Sequence, residues 1–112
     1  MVTTRSNFGN VHITPIVIDF SAPGDNIIVP APAGAAIELY QIYLVLGADS
    51  TGTFKAGVGG VALSGPLPML ANGSIVLDFS GAAWHETTPG NSLVLNSSSG
   101  VQISGTAYYM VK

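Results

Sequence analysis

Cysteine is absent from the 112 residues of this sequence, and charged residues are rare. Without cysteine the chain can form neither a disulfide nor a thiolate metal site, so its stability must come from packing. Charged residues make up 8% of the chain, whereas a typical soluble domain carries about 25%. Ser, Thr, Asn and 14 glycines make up the difference. A polar but weakly charged surface repels copies of itself poorly, which favours self-association.

Basic residues are the scarcest charged type. The sequence contains only Arg5, Lys55 and Lys112, against six acids, and the net charge is −3. A nucleic-acid-binding protein neutralises several phosphates with Lys and Arg side chains. Three scattered cations cannot do this, so nucleic acid is not an expected partner.

Long apolar runs are missing as well. The most apolar segment, residues 35–48, includes Glu38 and Gln41 and is too short to span a bilayer. Residues 1–7 show no apolar stretch of the kind that a signal peptide needs. We therefore expect a chain that has no membrane partner and is not secreted by the general route.

The pattern that is present predicts an all-β protein. Short apolar segments rich in Val, Ile, Thr and Tyr alternate with turn residues about every ten positions. No segment keeps the apolar spacing of a helix. We predict one domain over residues 11–112, a jelly-roll-like β-sandwich of about eight antiparallel strands. The predicted strands are residues 11–20, 26–29, 36–46, 51–56, 61–63, 74–79, 92–96 and 101–111.

The longest predicted strand, residues 36–46, has apolar side chains on both of its faces. A strand with one face in water alternates cleanly between apolar and polar residues. Residues 101–111 depart from that alternation near their C-terminal end. One face of each strand would fill the core, and the other would meet a second subunit or, alternatively, a loop of the same chain. The predicted oligomer interface comprises Tyr40, Leu44, Tyr108 and Met110.

Catalytic and metal-binding patterns are weak. The two histidines, His12 and His85, do not show the spacing of a zinc site, which usually needs three or four ligands. No Gly-x-Ser-x-Gly motif occurs, and the glycine-rich residues 57–60 lack the Lys-Ser/Thr ending of a phosphate loop. We expect no metal, no cofactor and no enzymatic activity.

Glu38 is the carboxylate predicted inside an apolar strand. A buried carboxylate needs a partner, and the candidates are Lys55, Arg5 or a tyrosine hydroxyl. A structural or interface role is favoured over catalysis.

Trp84, the only tryptophan, precedes His85 in a predicted polar loop. An exposed tryptophan beside polar groups can stack on a sugar or anchor an interface. The alternative is a side chain that folds over the open end of the sandwich. Trp84 and His85 are the predicted contacts with a ligand or partner.

Six short segments between residues 36 and 110 follow one another in an order that is found in a known family of proteins. The sequence of these segments resembles that of the small β-sandwich decoration (cement, or head auxiliary) proteins of tailed-bacteriophage capsids. The segments are residues 36–44 (AIELYQIYL), 53–57 (TFKAG), 63–68 (LSGPLP), 71–73 (ANG), 92–96 (SLVLN) and 101–105 (VQISG).

The resemblance implies a homotrimer seated on a capsid lattice, with residues 1–10 as an N-terminal arm and no catalytic motif. We expect a virion structural protein, made in the host cytoplasm, that bridges major capsid subunits at the capsid surface and stabilises the head. The alternative is a carbohydrate- or receptor-binding module of a phage tail fibre.

Overall fold

The computed structural model describes residues 4–5 and 12–112, with side chains from residue 13 onwards. The predicted N-terminal arm, residues 1–10, lies outside the described residues except for Thr4 and Arg5. The described residues form strands and turns and no helix. The strands are β1 (Thr4–Arg5), β2 (His12–Phe20), β3 (Gly24–Val29), β4 (Ile37–Leu46), β5 (Ser50–Ala56), β6 (Val61–Ala62), β7 (Leu67–Met69), β8 (Ser74–Leu77), β9 (His85–Glu86), β10 (Leu93–Ser97) and β11 (Ile103–Val111).

Two antiparallel sheets pack face to face. The large sheet has the order β1-β2-β11-β4-β8, and β9 also pairs with β4. The small sheet has the order β3-β10-β5-β6, and β7 also pairs with β5. β6 and β7 lie end to end along β5, as β8 and β9 do along β4. If each of these pairs is taken as one interrupted edge strand, eight principal strands accompany β1, in jelly-roll order. The predicted fold is confirmed.

The core lies between the sheets and forms because the inward positions of both sheets are apolar. β10 carries Leu93 and Leu95 and β5 carries Phe54, and all three are fully buried. Buried polar groups are hydrogen-bonded, as they must be where water is excluded. The hydroxyls of Ser50 and Ser97 lie 2.7 Å apart in the small sheet.

Two short strands differ from the prediction. The pattern predicts an extended link over residues 65–68 and a polar loop over residues 84–91, but Leu67–Met69 forms β7 and His85–Glu86 forms β9. Each is held by a neighbouring long strand: β7 by β5 and β9 by β4. Segments this short have no periodicity of their own, so the partner strand decides their conformation.

Candidate interaction surface

A β-bulge in β4 decides which of its side chains face outwards. Tyr108 of β11 pairs with Gln41, and Tyr109 pairs with Leu39, so the ladder steps over Tyr40. A bulge moves the alternation of side chains by one position. The side chains of β4 that face the core are Ile37 and Leu39 before the bulge and Ile42, Leu44 and Leu46 after it.

The bulge corrects one of the four predicted interface residues. Leu44 is fully buried in the core, so the prediction that it lies at an oligomer interface is wrong. Strict alternation had placed Leu44 on the same face as Tyr40. Tyr40 itself is 8% exposed. Tyr108 and Met110 are partly buried on the outward side of β11. Contact of these three residues with another subunit stays a prediction.

Four side chains from four strands line up across the outward face of the large sheet. Val17 of β2 pairs with Thr106 of β11, Thr106 with Tyr43 of β4, and Tyr43 with Val76 of β8. We call these four residues the outer row. Val17 is 75% exposed, Val76 55% and Tyr43 45%. A contiguous apolar surface of this kind is typical of an interaction site.

The surroundings of the outer row are polar but nearly uncharged. Within the row, the Thr106 hydroxyl donates a hydrogen bond of 3.1 Å to the Tyr43 hydroxyl. Towards one end of the sheet, Nε2 of Gln102 donates to Oδ1 of Asp19 at 2.6 Å and to Oγ of Ser104 at 3.0 Å. An open, shallow depression of about 410 Å³ lies beside the row, and Val17 and Tyr43 are among its lining residues. The outward face therefore exposes Val17 and Val76, with the hydrogen-bonded pair of Thr106 and Tyr43 between them.

The outward face of the small sheet is closed by its own side chains. Val94 lies between Ile27 of β3 and Lys55 of β5 in the ladder, and its exposed fraction is zero. Nζ of Lys55 lies 3.0 Å from Oδ2 and 3.1 Å from Oδ1 of Asp25. The two outward faces of the sandwich therefore differ: an ion pair covers the centre of one, where Ile27 remains 48% exposed, and the other presents the outer row.

Asp25 is the common acceptor of the hydrogen bonds on this face. Its carboxylate accepts hydrogen bonds of 2.7 Å from Nδ2 of Asn96 and of 2.7 Å from the backbone N–H of Gly59, besides those from Lys55. These bonds, that from Asn96 first, then those from Gly59 and Lys55, lower the pKa of Asp25 from 3.8 to about 2. Donors directed at the carboxylate favour its charged form. The network joins three strands to the glycine-rich turn after β5.

Glu38 finds its partners at one end of the large sheet. The carboxylate is largely buried and lies 3.9 Å from Nζ of Lys112, while Glu86 sits opposite in the ladder between β4 and β9. Nζ of Lys112 is also 3.3 Å from Glu86. Burial, then the charge and hydrogen bonding of Glu38, raise the pKa of the Tyr40 phenol. Of the predicted candidates, Tyr40 hydrogen-bonds to Glu38, Lys55 binds Asp25, and the side chain of Arg5 lies outside the described residues.

Trp84 and His85 project in different directions. Trp84 is 45% exposed, and its Nε1 donates a hydrogen bond of 2.8 Å to the carbonyl oxygen of Asp78. His85 is partly buried, and its ring centroid lies 4.9 Å from that of Phe54 in the small sheet. Burial lowers the pKa of His85. Of the two predicted contact residues, Trp84 is therefore exposed, whereas His85 packs inwards.

The residues that sequence reasoning missed are those of the outer row. A signal was present at Val17, which stands between Ile16 and Ile18 and makes β2 apolar on both faces. Strict alternation along the long strand puts Tyr43 on the same face as Leu39, which lies in the core. Neither position can be assigned to the outward face without the register of the neighbouring strands.

Within residues 4–5 and 12–112, no three His, Asp or Glu side chains come together in a group that could hold a metal ion. The side chain of His12 is outside the described residues. Over the same ranges, no helix has the length and apolar character needed to cross a membrane.

No protein-family model matches the sequence, and no curated protein matches it.

Proposed function

We propose that this chain is a capsid decoration protein of a tailed bacteriophage, a virion structural protein that bridges neighbouring major capsid subunits as a homotrimer. The observation that carries the proposal is the outer row, an exposed apolar line in register across four strands of a jelly roll. Removing apolar area from water contributes about 25 cal/mol per Å². A surface of this kind suits the lasting contact between subunits that a homotrimer needs.

The mechanism of stabilisation follows from repeated modest contacts. A subunit that binds the capsid weakly is retained when two further subunits of the same trimer are bound, because each rebinding step is intramolecular. The resemblance of residues 36–110 to decoration proteins supports this class of function, as does the low charge of the chain, 8% of its residues. No chemical step is required for this role.

The proposal is tested with heads of the encoding phage from which the gene for this chain has been deleted. Purified protein is added to such heads, which are then sedimented. Saturable binding in multiples of three copies, with a higher temperature of head disruption, is the expected result. Protein that stays in the supernatant at every concentration, or virions that lack the chain, would overturn the proposal.

A second candidate is a carbohydrate- or receptor-binding module of a tail fibre, and it is favoured by Trp84. The indole N–H is occupied by Asp78 while the side chain remains 45% exposed, so the ring is held in place and can stack on a sugar. A glycan array followed by titration of Trp84 fluorescence tests this function. Binding that survives in W84A, with W84F as the conservative control, would exclude the ring as the sugar contact.

A further inference from the structure

We propose that the outer row is covered by a second copy of this chain, so that the large sheets of neighbouring subunits pack against one another with Tyr43 and Thr106 close to the symmetry axis. The proposal goes beyond the proposed function and holds for a dimer as well as for a trimer. It assigns self-association to the large sheet and leaves the rest of the surface to the capsid.

The polar groups at the centre of this face are suited to meeting themselves. In a cyclic oligomer, dimer or trimer, copies of the same group meet at the symmetry axis, so a group near the axis faces its own copy. Two carboxylates or two ammonium groups repel in that position, whereas a hydroxyl both donates and accepts. Thr106 donates to the Tyr43 hydroxyl, whose own hydrogen remains able to bond to an oxygen of the neighbouring subunit.

The distribution of charge points to the same occupant. All copies carry the same net charge of −3, so they approach most easily through a face with little charge. The outer row contains no charged residue, and neither does one of its two adjacent rows, Tyr108 with Pro15 and Gln41. The other adjacent row, Ser104 with Asp19 and Val45, contains one exposed carboxylate. Asp19 lies beyond the row, where Gln102 donates to it. A basic partner would instead be drawn to acidic side chains, which the centre of this face does not offer.

The size of the face is adequate for a stable contact. β2, β11, β4 and β8 contain 9, 9, 10 and 4 residues, which at standard strand spacing and rise gives roughly 500 Å² of projected area. The accessible area of a face covered with side chains is larger than its projection. Stable interfaces bury about 600–1,000 Å² per partner, so one copy of this face can supply one side of such an interface.

The small sheet provides a matched control. Val61 of β6 is 75% exposed, as Val17 of β2 is, but it belongs to the other sheet. V17E and V61E therefore add the same charge at equally exposed valines. Only V17E places like charges within the proposed contact, where a buried unpaired charge is costly.

The experiment measures mass by sedimentation equilibrium and native mass spectrometry over a concentration series. Wild type and V61E are expected to assemble into a multiple of 11.4 kDa. V17E, and independently V76E at the other end of the outer row, are expected to weaken assembly more than tenfold, with the circular dichroism spectrum of the wild type. Tyr43→Phe is expected to weaken assembly less than either charged variant.

Each outcome decides between the two proposals. A wild type that is monomeric throughout, or V17E and V76E that assemble as tightly as V61E, overturns the packing of the large sheets; the face would then belong to a different protein or to nothing. A dimer lost in V17E keeps this inference and contradicts the trimer of the proposed function. Assembly that depends on the outer row, together with no binding to deleted heads, keeps the inference and overturns the capsid role.

Discussion

The ammonium group of Lys55 lies 3.0 Å from Oδ2 of Asp25 and ties β5 to β3 across the intervening strand β10. Lys55 pairs with Val94 of β10 in the ladder. The side chain of Val94 is wholly buried, although it does not belong to the core between the sheets. Asn96, two residues further along β10, donates to the same carboxylate. One ion pair therefore covers Val94 at the centre of the outward face of the small sheet.

Replacing Asp25 with Asn should lower the free energy of unfolding by about 1–2 kcal/mol at neutral pH, because the carboxylate accepts several charge-assisted bonds that are partly screened by solvent. The folded pKa of about 2 is below the ordinary 3.8, so this stabilisation is complete above pH 3.8 and is lost as the pH falls towards 2. Urea unfolding at successive pH values measures it. D78N, at an exposed aspartate, is the charge-matched control and should unfold like the wild type at neutral pH.

Acidification should also destabilise the protein through His85. Burial lowers its folded pKa below the ordinary 6.5, so the unfolded chain takes up a proton first and stability falls as the pH drops below 6.5. His85→Phe keeps a ring against Phe54 and removes the titration. The free energy of unfolding of H85F should therefore change less than that of the wild type between about pH 7 and pH 5. Equal slopes for the two proteins would contradict this prediction.

The bulge at Tyr40 decides that Leu44 faces the core and Tyr43 faces outwards. Leu44→Ala should cost about 2–5 kcal/mol of unfolding free energy because it leaves a cavity in the core. Tyr43→Ala should cost about 1 kcal/mol or less but should weaken self-association. Chemical denaturation in the V17E background separates folding from assembly. If the two variants lost similar stability, the assignment of faces after the bulge would be wrong.

At Gly105, β11 passes close to the backbone of β4. A Cβ added at this position would overlap the carbonyl oxygen of Tyr43, and a backbone atom cannot move aside as a flexible side chain can. Gly105→Ala should therefore cost about 3 kcal/mol or more, or prevent folding. Gly65→Ala is the control, since nothing lies within 4 Å of a Cβ there. Melting temperatures and soluble yields of the two variants are the measurements, and similar values would argue against the close approach.

Much of the fold could be predicted because its signals are local. Asn72 and the glycines at 24, 57 and 90 adopt positive φ between or at the ends of strands, a conformation that these residue types accept more readily than others. Val, Ile and Tyr in the intervening segments favour strands. The predicted strands therefore coincide with the longer elements, including β4, β5 and β11, to within a few residues at each end.

The candidate site could be predicted only in outline. Apolar residues on both faces of the long strand predicted a contact for its second face, and that contact stays a prediction. Identifying the outward residues required the bulge, which is a property of the pairing between β4 and β11. Val17 and Val76 are 59 positions apart in the chain and share a row only because two strands lie between them.

The sequence by itself determined an all-β chain without disulfides, the positions of most turns, and a surface too weakly charged to repel its own copies. Those properties depend on residue type and near neighbours. The tertiary structure alone decided that Leu44 faces inwards and Tyr43 outwards, and that Asp25 binds Lys55 and Asn96 rather than water. Side-chain direction and carboxylate partners depend on which strand lies alongside and in what register, and contacts between distant segments set both.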